Sequence, residues 1–246
     1  SAQLKEVIVE QAQRKQILQA DRGNIFDRKN RPLTRNVIHY SLSAKPSLVE
    51  EKDQLAIAIS NRTGRDKEEY LKKLNSKKEF VFLERNLQRQ TLGALETEIY
   101  EGFNIERNYR RYYPHEHIAS QLIGYTNVDN EGISGVEKDF NKYLTGESGW
   151  VIKTRGWKGT YQKKGGSPYQ DPIDGNNIKL TIDVDYQSII QEELEKRQLE
   201  TSAKAAIGVI MKPQTGEILA LASTPSFNNN RYYNSSINYH RIRAIT

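Results

Sequence analysis

The sequence predicts an α+β protein in which short strands and helices alternate without an internal repeat. Two patterns of apolar residues lead to this prediction: strict alternation in some segments, as in strands, and recurrence every three or four residues in others, as in helices. The chain has 246 residues, of which 36% are hydrophobic and 28% are charged. These values are typical of a soluble globular protein with enough chain for one large domain or two of ordinary size.

The first part of the chain alternates between the two element types. Residues 2–20 have apolar residues at helical spacing among Gln, Lys and Glu, and they predict a mostly exposed helix. β-Branched and aromatic residues predict strands over residues 37–43, 80–83 and 103–109. Periodicity and turn residues predict helices over residues 48–59, 67–74 and 91–100.

A tight turn is predicted at Lys29-Asn30, because asparagine tolerates the left-handed backbone conformation. Arginine and aspartate residues surround this turn, and such a group of side chains can bind phosphate. Structural ion pairing among these residues is the favoured interpretation.

Residues 132–149 are the most informative stretch of the chain. Ser134 and Glu137 have the spacing of a capping box, which predicts that a helix begins there. The apolar positions of this helix form one stripe, made of Val136, Phe140, Tyr143 and Leu144. Gly146 is expected to end the helix in a left-handed conformation.

A second domain is predicted after residues 168–177, which are rich in Pro, Gly and Asn. The residues before this boundary, 156–166, predict an exposed hairpin or loop. A strand over residues 178–182, a helix over residues 183–200 and a hairpin over residues 206–222 follow. So few strands cannot form a covered sheet, so the second domain is expected to be incomplete here.

The net charge of +6 suits a protein that works near anionic partners, although a solvated basic surface is the simpler interpretation. Basic and aromatic residues alternate over residues 107–113, a pattern that can bind a single strand of nucleic acid. A strand and turn whose arginines pair with acids such as Glu137 is favoured, because Pro114 and the apolar residues after it connect the segment to a core. No nucleic-acid partner is therefore expected.

The absence of cysteine excludes disulfides, zinc-thiolate sites and a cysteine nucleophile. The longest apolar run, residues 205–211, is too short to span a bilayer. The chain begins with Ser rather than Met, which favours a protein whose targeting segment has been removed.

Catalytic patterns are missing from the sequence. Ser-x-x-Lys, which places a nucleophilic serine one helical turn from its base, does not occur, and neither does Lys-Thr-Gly. His115 and His117 flank Glu116 at a spacing that suits a metal, but a third ligand is not evident, and surface histidines are favoured. We therefore expect no catalytic residue, metal site or cofactor in these residues.

Three ordered stretches resemble the N-terminal, non-catalytic half of class B penicillin-binding proteins, the bacterial cell-wall transpeptidases. Residues 22–28, Arg-Gly-Asn-Ile-Phe-Asp-Arg, are similar to the first motif of this family, with Asn30 and Thr34 in place of its usual glycine and alanine. Residues 111–114, Arg-Tyr-Tyr-Pro, are similar to the second, although Glu116 and Gln121 depart from it. The glycines, Glu137 and Leu144 of residues 132–149 match the third at every expected spacing.

Residues 180–183 and 211–220 also resemble the entry into the transpeptidase domain of the family. Residues 243–246, Arg-Ala-Ile-Thr, look like the tetrapeptide shortly before the nucleophilic serine. The amino-acid sequences of the second motif, the third motif and this tetrapeptide are most similar to the division, or septal, branch of the family. The resemblance implies a juxtamembrane stalk helix over residues 1–20, an elongated pedestal or dimerisation domain over residues 21–172, and the first part of the transpeptidase domain over residues 173–246.

The resemblance further implies a single-pass inner-membrane protein, anchored through a missing N-terminal helix, with its body in the periplasm or extracytoplasmic space. Its expected partners are membrane proteins of the divisome or elongasome, and homodimerisation is possible. Peptidoglycan stem peptides and β-lactams would bind only through the missing part of the transpeptidase domain. The alternative is a non-enzymatic module that docks other membrane-anchored cell-wall synthesis or division proteins.

The residues to which the resemblance assigns a structural role in the pedestal are Arg22, Gly23, Asp27, Arg28, Arg111, Tyr113, Pro114, Gly124, Gly132, Gly135, Glu137, Gly146 and Gly149. In this family the motifs pack together through pairs of arginine with acidic residues. We hypothesise that Arg22 or Arg28 pairs with Glu137 or Asp27, and that Arg111 joins the same cluster.

Overall fold

The computed structural model describes residues 13–97, 100–155, 161–162 and 166–244. Both helices and strands are present, so the predicted α+β class is confirmed. The contacts divide the chain into two compact units. Residues 36–110 form one, called here the inserted unit, and the residues up to 35 together with those from 111 onward form the other, called here the framing unit.

The strands are β1 Gln13–Leu18, β2 Ile25–Phe26, β3 Arg35–Ala44, β4 Val81–Leu87, β5 Phe103–Tyr112, β6 Gly149–Arg155, β7 Tyr161–Gln162, β8 Tyr169–Gln170, β9 Ile178–Lys179, β10 Ala206–Met211 and β11 Ile218–Thr224. The α-helices are α1 Lys52–Thr63, α2 Lys67–Leu74, α3 Arg89–Leu92, α4 Ser120–Ile123, α5 Gly135–Asp139, α6 Asn141–Leu144 and α7 Val184–Thr201. Short 3-10 helices cover Gly93–Glu96, Asn229–Asn234 and Ile237–His240.

The inserted unit is a three-stranded sheet, in the order β4-β3-β5, with helices packed on it. Its core joins the sheet to α1 and α2 through buried side chains such as Leu42, Ile59 and Tyr70. Helix α1 is followed by Gly64, whose left-handed backbone lets its N–H reach the carbonyl of Ser60. The turn that residues 61–64 predict between the first two helices is therefore observed. The predicted strands and the first two predicted helices of this unit are confirmed, with shifted ends.

The helix predicted over residues 91–100 is wrong in extent. Helix α3 ends at Leu92, and Gly93 has a φ of 50°, so the chain continues as a single 3-10 turn. Residues 98 and 99 lie outside the described residues.

In the framing unit, strand β6 pairs with β1, β7 and β8, all antiparallel. The helix predicted over residues 2–20 is therefore wrong for residues 13–18, which form β1, while residues 1–12 lie outside the described residues. The physical reason is long-range pairing: β1 pairs with β6 from Gln13 opposite Thr154 to Leu18 opposite Gly149, and these contacts override the helical spacing of the apolar residues. Most of the loop predicted over residues 156–166 also lies outside the described residues.

Helix α7 packs on the β10-β11 hairpin, and the predicted order of strand, helix and hairpin is observed. Helical spacing places Tyr186, Ile189, Ile190 and Leu194 on one face of this helix, but Tyr186 and Ile189 are exposed. Gln187 is buried instead, because its side-chain amide donates to the carbonyl of Leu221 at 3.0 Å and accepts from the N–H of Leu221 at 2.8 Å. A polar side chain can therefore face the sheet without an unpaired group.

Within the described ranges, none of the helices has both the length and the apolar character that crossing a membrane requires. The domain boundary predicted between residues 172 and 173 stays a prediction.

Candidate functional site

Three segments that are distant in sequence meet at the carboxylate of Glu137. Arg22 follows β1, Arg111 lies at the end of β5, and Glu137 lies in α5. The Nε of Arg22 is 2.8 Å from Oε2 of Glu137, and the Nε of Arg111 is 2.7 Å from Oε1. The side chains of Arg22, Arg111 and Glu137 are 4%, 1% and 0% exposed. One buried carboxylate is therefore shared between two guanidinium groups, one on each oxygen.

The remaining guanidinium donors find neutral acceptors. Arg22 Nη1 donates to Oδ1 of Asn141 at 2.8 Å and to Oγ1 of Thr145 at 2.9 Å, and its Nη2 donates to the carbonyl of Glu137 at 2.9 Å. Arg111 Nη2 donates to the carbonyl of Gly23 at 2.7 Å. The two guanidinium groups carry two positive charges, whereas Glu137 supplies only one negative charge. The partial negative charges of these neutral oxygens stabilise the second guanidinium.

The hypothesis that Arg22 pairs with Glu137 and that Arg111 joins them is thus observed in the structure. The predicted capping box is not observed. Ser134 makes no side-chain capping hydrogen bond, and the carboxylate of Glu137 is turned toward the arginines. The predicted single helix is also wrong, since the chain kinks at Phe140 between α5 and α6. Of the predicted apolar stripe, Phe140 and Tyr143 are 41% and 61% exposed.

Gly146 does not end the helix in a left-handed conformation. Thr145 ends α6 with an extended backbone, and Gly146 is absent from the residues with positive φ. Its role is close packing, because a Cβ at Gly146 would overlap the carbonyl oxygen of Ile173.

Close backbone approach also explains the other glycines of the three motifs. A Cβ would overlap a backbone carbonyl oxygen of another segment at Gly23, Gly124 and Gly149, and one within the same motif at Gly132. At Gly132 that oxygen belongs to Glu137 and is the one that accepts from Arg22. At Gly135 the φ of 57° adds a second requirement for glycine. The glycines therefore let the segments approach closely enough for the ion cluster to form.

A second cluster surrounds Arg31, near the predicted turn, where Asn30 has the expected left-handed φ of 61°. Arg31 donates to Asp27 Oδ2, Asp183 Oδ1 and Asp185 Oδ1 at 2.6–2.7 Å. Arg28 instead approaches Glu217 at 3.7 Å, so the alternative pairing of Arg28 with Glu137 or Asp27 is wrong. The ion pairing favoured for the residues around this turn is observed between Arg31 and Asp27, whereas the contacts of Arg31 with Asp183 and Asp185 were not predicted.

The electrostatics of this second cluster favour ion pairing rather than phosphate binding. Burial alone would raise the pKa of the Asp27 carboxyl, but hydrogen bonds from the backbone and side chain of Arg31 outweigh it and hold that pKa below its usual value. Hydrogen bonds from Arg31 and Lys29 lower the pKa of Asp185 to about 2. Carboxylates already occupy the donors that a phosphate would need.

Residues of the second motif contact the C-terminal part of the framing unit. The hydroxyl of Tyr113 accepts from the N–H of Thr126 at 3.1 Å, and the backbone of Tyr113 pairs with the side-chain amide of Asn230 at 3.0 and 2.9 Å. Gln121 donates to the carbonyls of Ser223, Pro225 and Tyr239. Sequence reasoning did not predict these contacts, because isolated Asn and Gln residues carry no periodic signal.

The two flanking histidines do not gather a metal-ligand set. His115 is half-buried and His117 is exposed. Within the part of the chain that the structure describes, no group of three or more His, Cys, Asp or Glu side chains is placed to hold a metal ion. Pro114 is half-buried between Tyr113 and His115.

His240 connects the C-terminal segment to Tyr125. The hydroxyl of Ser235 donates to the carbonyl of Tyr232 at 2.7 Å, so its oxygen must accept from Nε2 of His240, which lies 2.7 Å away. Nδ1 of His240 is then an acceptor for the hydroxyl of Tyr125, at 2.9 Å. Burial lowers the pKa of His240 below its ordinary value, which favours this neutral form.

Comparison with known proteins identifies the family of this chain. The family described as the penicillin-binding protein dimerisation domain matches residues 17–180, which include both arginines and the glutamate of the buried cluster. The chain belongs to this family. It contains the pedestal, or dimerisation, domain of a class B penicillin-binding protein.

Similar proteins support the assignment. The peptidoglycan D,D-transpeptidase FtsI of Escherichia coli (strain K12) is 30% identical over 95% of this chain and 40% of its own length. Penicillin-binding protein 2X of Streptococcus thermophilus has a TM-score of 0.62 at 25% identity, over 89% of this chain and 36% of that one. The PBP2 of Helicobacter pylori, solved in complex with MreC, shares the fold with a TM-score of 0.65 at 24% identity, over 89% and 44% of the two chains. The chain thus spans about two fifths of the length of its curated relatives.

Removing the carboxylate of this penicillin-binding protein pedestal at Glu137 should strongly destabilise the framing unit. Glu137→Ala leaves two buried guanidinium groups without their counter-ion, and we expect the free energy of unfolding to fall by about 3–5 kcal/mol. Urea unfolding followed by tryptophan fluorescence measures this change. The control is Glu217→Ala, whose partner Arg28 is half-exposed and which should cost less than about 1 kcal/mol. Equal stability of the two variants would contradict this expectation.

Acidification should destabilise the framing unit through His240. Because the folded-state pKa lies below the ordinary value of 6.5, its contribution is fully present above about pH 6.5 and is lost as the pH falls. His115 contributes in the same direction, since burial and then the charge of Arg31 lower its pKa. Urea unfolding between about pH 7.5 and pH 5 should show a smaller pH dependence for His240→Gln than for the unmodified chain. His117→Gln, at an exposed position, should keep the full dependence, and an unchanged slope in His240→Gln would refute the assignment.

Proposed function

We propose that this chain supplies the non-catalytic pedestal of a peptidoglycan D,D-transpeptidase that cross-links the cell wall during cell division. The observation that carries this proposal is the buried cluster of Arg22, Arg111 and Glu137. None of these three side chains is accessible to a substrate, so the cluster can hold segments together but cannot carry out acyl transfer. The likeness to a D,D-transpeptidase at 30% identity supports the choice of enzyme, and its name, FtsI, supports the division branch.

In its complete form the protein would acylate a serine with a peptidoglycan stem peptide, or with a β-lactam, and then transfer the stem peptide to an acceptor amine. That serine would lie beyond Thr246, in the remainder of a transpeptidase domain that begins near residue 173. Residues 21–172 would form the pedestal, and the residues before 21 would lead to a membrane anchor. The body would then lie in the periplasm or extracytoplasmic space.

Partners of the pedestal would be membrane proteins of the divisome or elongasome. The complex of the Helicobacter pylori PBP2 with MreC supports a protein partner, because that chain shares this fold. Homodimerisation fits the family description as well. No nucleic acid is proposed, since Arg111 of the basic segment is buried and paired.

Covalent labelling with a fluorescent penicillin tests the enzymatic part of the proposal. The 246-residue chain lacks Ser-x-x-Lys and Lys-Thr-Gly, so it should not be labelled. A version of the natural protein that continues past Thr246 should be labelled, and excess unlabelled penicillin should prevent it.

Two results would contradict this account. Labelling of the 246-residue chain would reveal a nucleophile within it. A continued chain that folds but is not labelled would favour the alternative, a non-enzymatic module that docks cell-wall synthesis or division proteins.

A further inference from the structure

A groove crosses the surface of the inserted unit on the side of α1 that faces away from the sheet core. Leu55, Ala56 and Ile59 of α1 are buried, whereas Ile57 is 44% exposed. Ile57 and Ala58, with Leu95 and Tyr100, line a depression of about 570 Å³. These four residues, called here the apolar floor, share the lining with Gln54, Asn61 and Arg62. The depression is large enough for one or two side chains of a partner.

A second depression of about 240 Å³ continues from the first, because Tyr100 lines both. Its other walls are Val49, Glu50, Glu51 and Glu101. We call the two depressions together, lined by Ile57, Leu95, Tyr100, Glu50, Glu51 and Glu101, the acidic groove.

The three glutamates of the acidic groove are exposed, and among the described residues no ion pair involves them. Glu51 is the N-cap residue of α1, yet its side chain makes no capping hydrogen bond. Asp53, the next acid of this helix, differs because Lys67 pairs with it at 2.9 Å. The carboxylates of the groove are thus directed neither to capping nor to ion pairing within the described fold.

The larger depression carries a positive charge instead. Arg62 lines it, and its guanidinium covers Gly93, where a Cβ would come within 2.7 Å of Cζ. Gly93 has positive φ and no side chain, so it leaves room for this guanidinium. The two depressions therefore differ in charge, with three carboxylates lining the smaller one and one guanidinium lining the larger one.

We propose that the acidic groove docks a basic, apolar segment of a protein partner. A Leu, Phe or Tyr side chain of that segment would occupy the apolar floor against Ile57, Leu95 and Tyr100, and a neighbouring Lys or Arg would pair with Glu50, Glu51 or Glu101. The charge of the groove opposes that of the whole chain, which is +6, so this surface selects a different kind of ligand from the rest of the protein. Phosphates of lipids or nucleic acids would be repelled by the three carboxylates.

This inference names a docking surface for the protein partner of the proposed function. It rests on the proposed function only in taking the partner to be a protein. Its test uses peptide binding to the 246-residue chain, which does not depend on penicillin labelling. Failure of one can thus be separated from failure of the other.

The experiment selects a random linear peptide library, displayed on phage, against the 246-residue chain. Enriched sequences should carry Lys or Arg beside an aromatic or leucine residue. A synthetic peptide of the most enriched sequence should bind Ile57→Ser, and also the double variant Glu50→Gln, Glu101→Gln, at least about fivefold more weakly than the unmodified chain in fluorescence anisotropy. Salt should weaken binding to the unmodified chain more than binding to the double variant.

Matched controls lie on the same unit outside the groove. Ile38→Ser removes an equally exposed apolar side chain, and Glu79→Gln with Glu106→Gln removes two exposed charges. All of these positions are on the surface, so each variant should keep its circular dichroism spectrum. The proposal is overturned if no sequence enriches, if the enriched peptides are acidic or lack basic residues, or if groove and control variants bind the peptide equally.

Discussion

The framing unit depends on one carboxylate shared by two arginines. Glu137 is buried, and its two oxygens each receive a guanidinium from a different part of the chain, 115 and 26 residues away in sequence. Removing charges from water is costly, and the attraction between them offsets that cost only when geometry and hydrogen bonding are complete. Here the extra donors reach Asn141, Thr145 and the carbonyls of Glu137 and Gly23, so the cluster specifies one arrangement of the three segments.

The glycines of the three motifs and the ion cluster of Arg22, Arg111 and Glu137 act together. The carbonyl oxygen of Glu137 accepts from the guanidinium of Arg22, and a Cβ at Gly132 would overlap that same oxygen. Gly23 likewise allows its segment to approach Asn176, while its own carbonyl accepts from Arg111. A motif that looks like scattered glycines around a helix is therefore a set of backbone contacts around a buried charge.

Local rules predicted much of the fold and part of the site. Asn30 adopts the left-handed turn, α1 ends at its glycine, and the α7 and β10-β11 order follows from simple periodicity. The pairing of Arg22 with Glu137 was one of the hypotheses, but its basis was a family resemblance, since a sequence alone does not reveal a contact over 115 residues.

The wrong predictions share a cause, which is that long-range contacts override local preferences. Residues 13–18 have helical spacing but pair with β6, and Glu137 has the position of a capping residue but binds arginines. Gln187 lies on the inner face of α7 because its amide matches the backbone of β11. In each case the competing partner lies more than 25 residues away, beyond the reach of any pattern of i, i+3 and i+4 positions.

Hydrogen exchange of the Glu137→Gln variant tests the central claim most directly, because it reports on each segment separately. If the shared carboxylate holds the three segments together, amide protection should fall jointly in residues 22–27, 111–113 and 141–146, while residues 36–110 keep theirs. The Glu217→Gln variant should leave all of these segments protected. A loss of protection confined to residues 135–139, or no loss at all, would contradict the account.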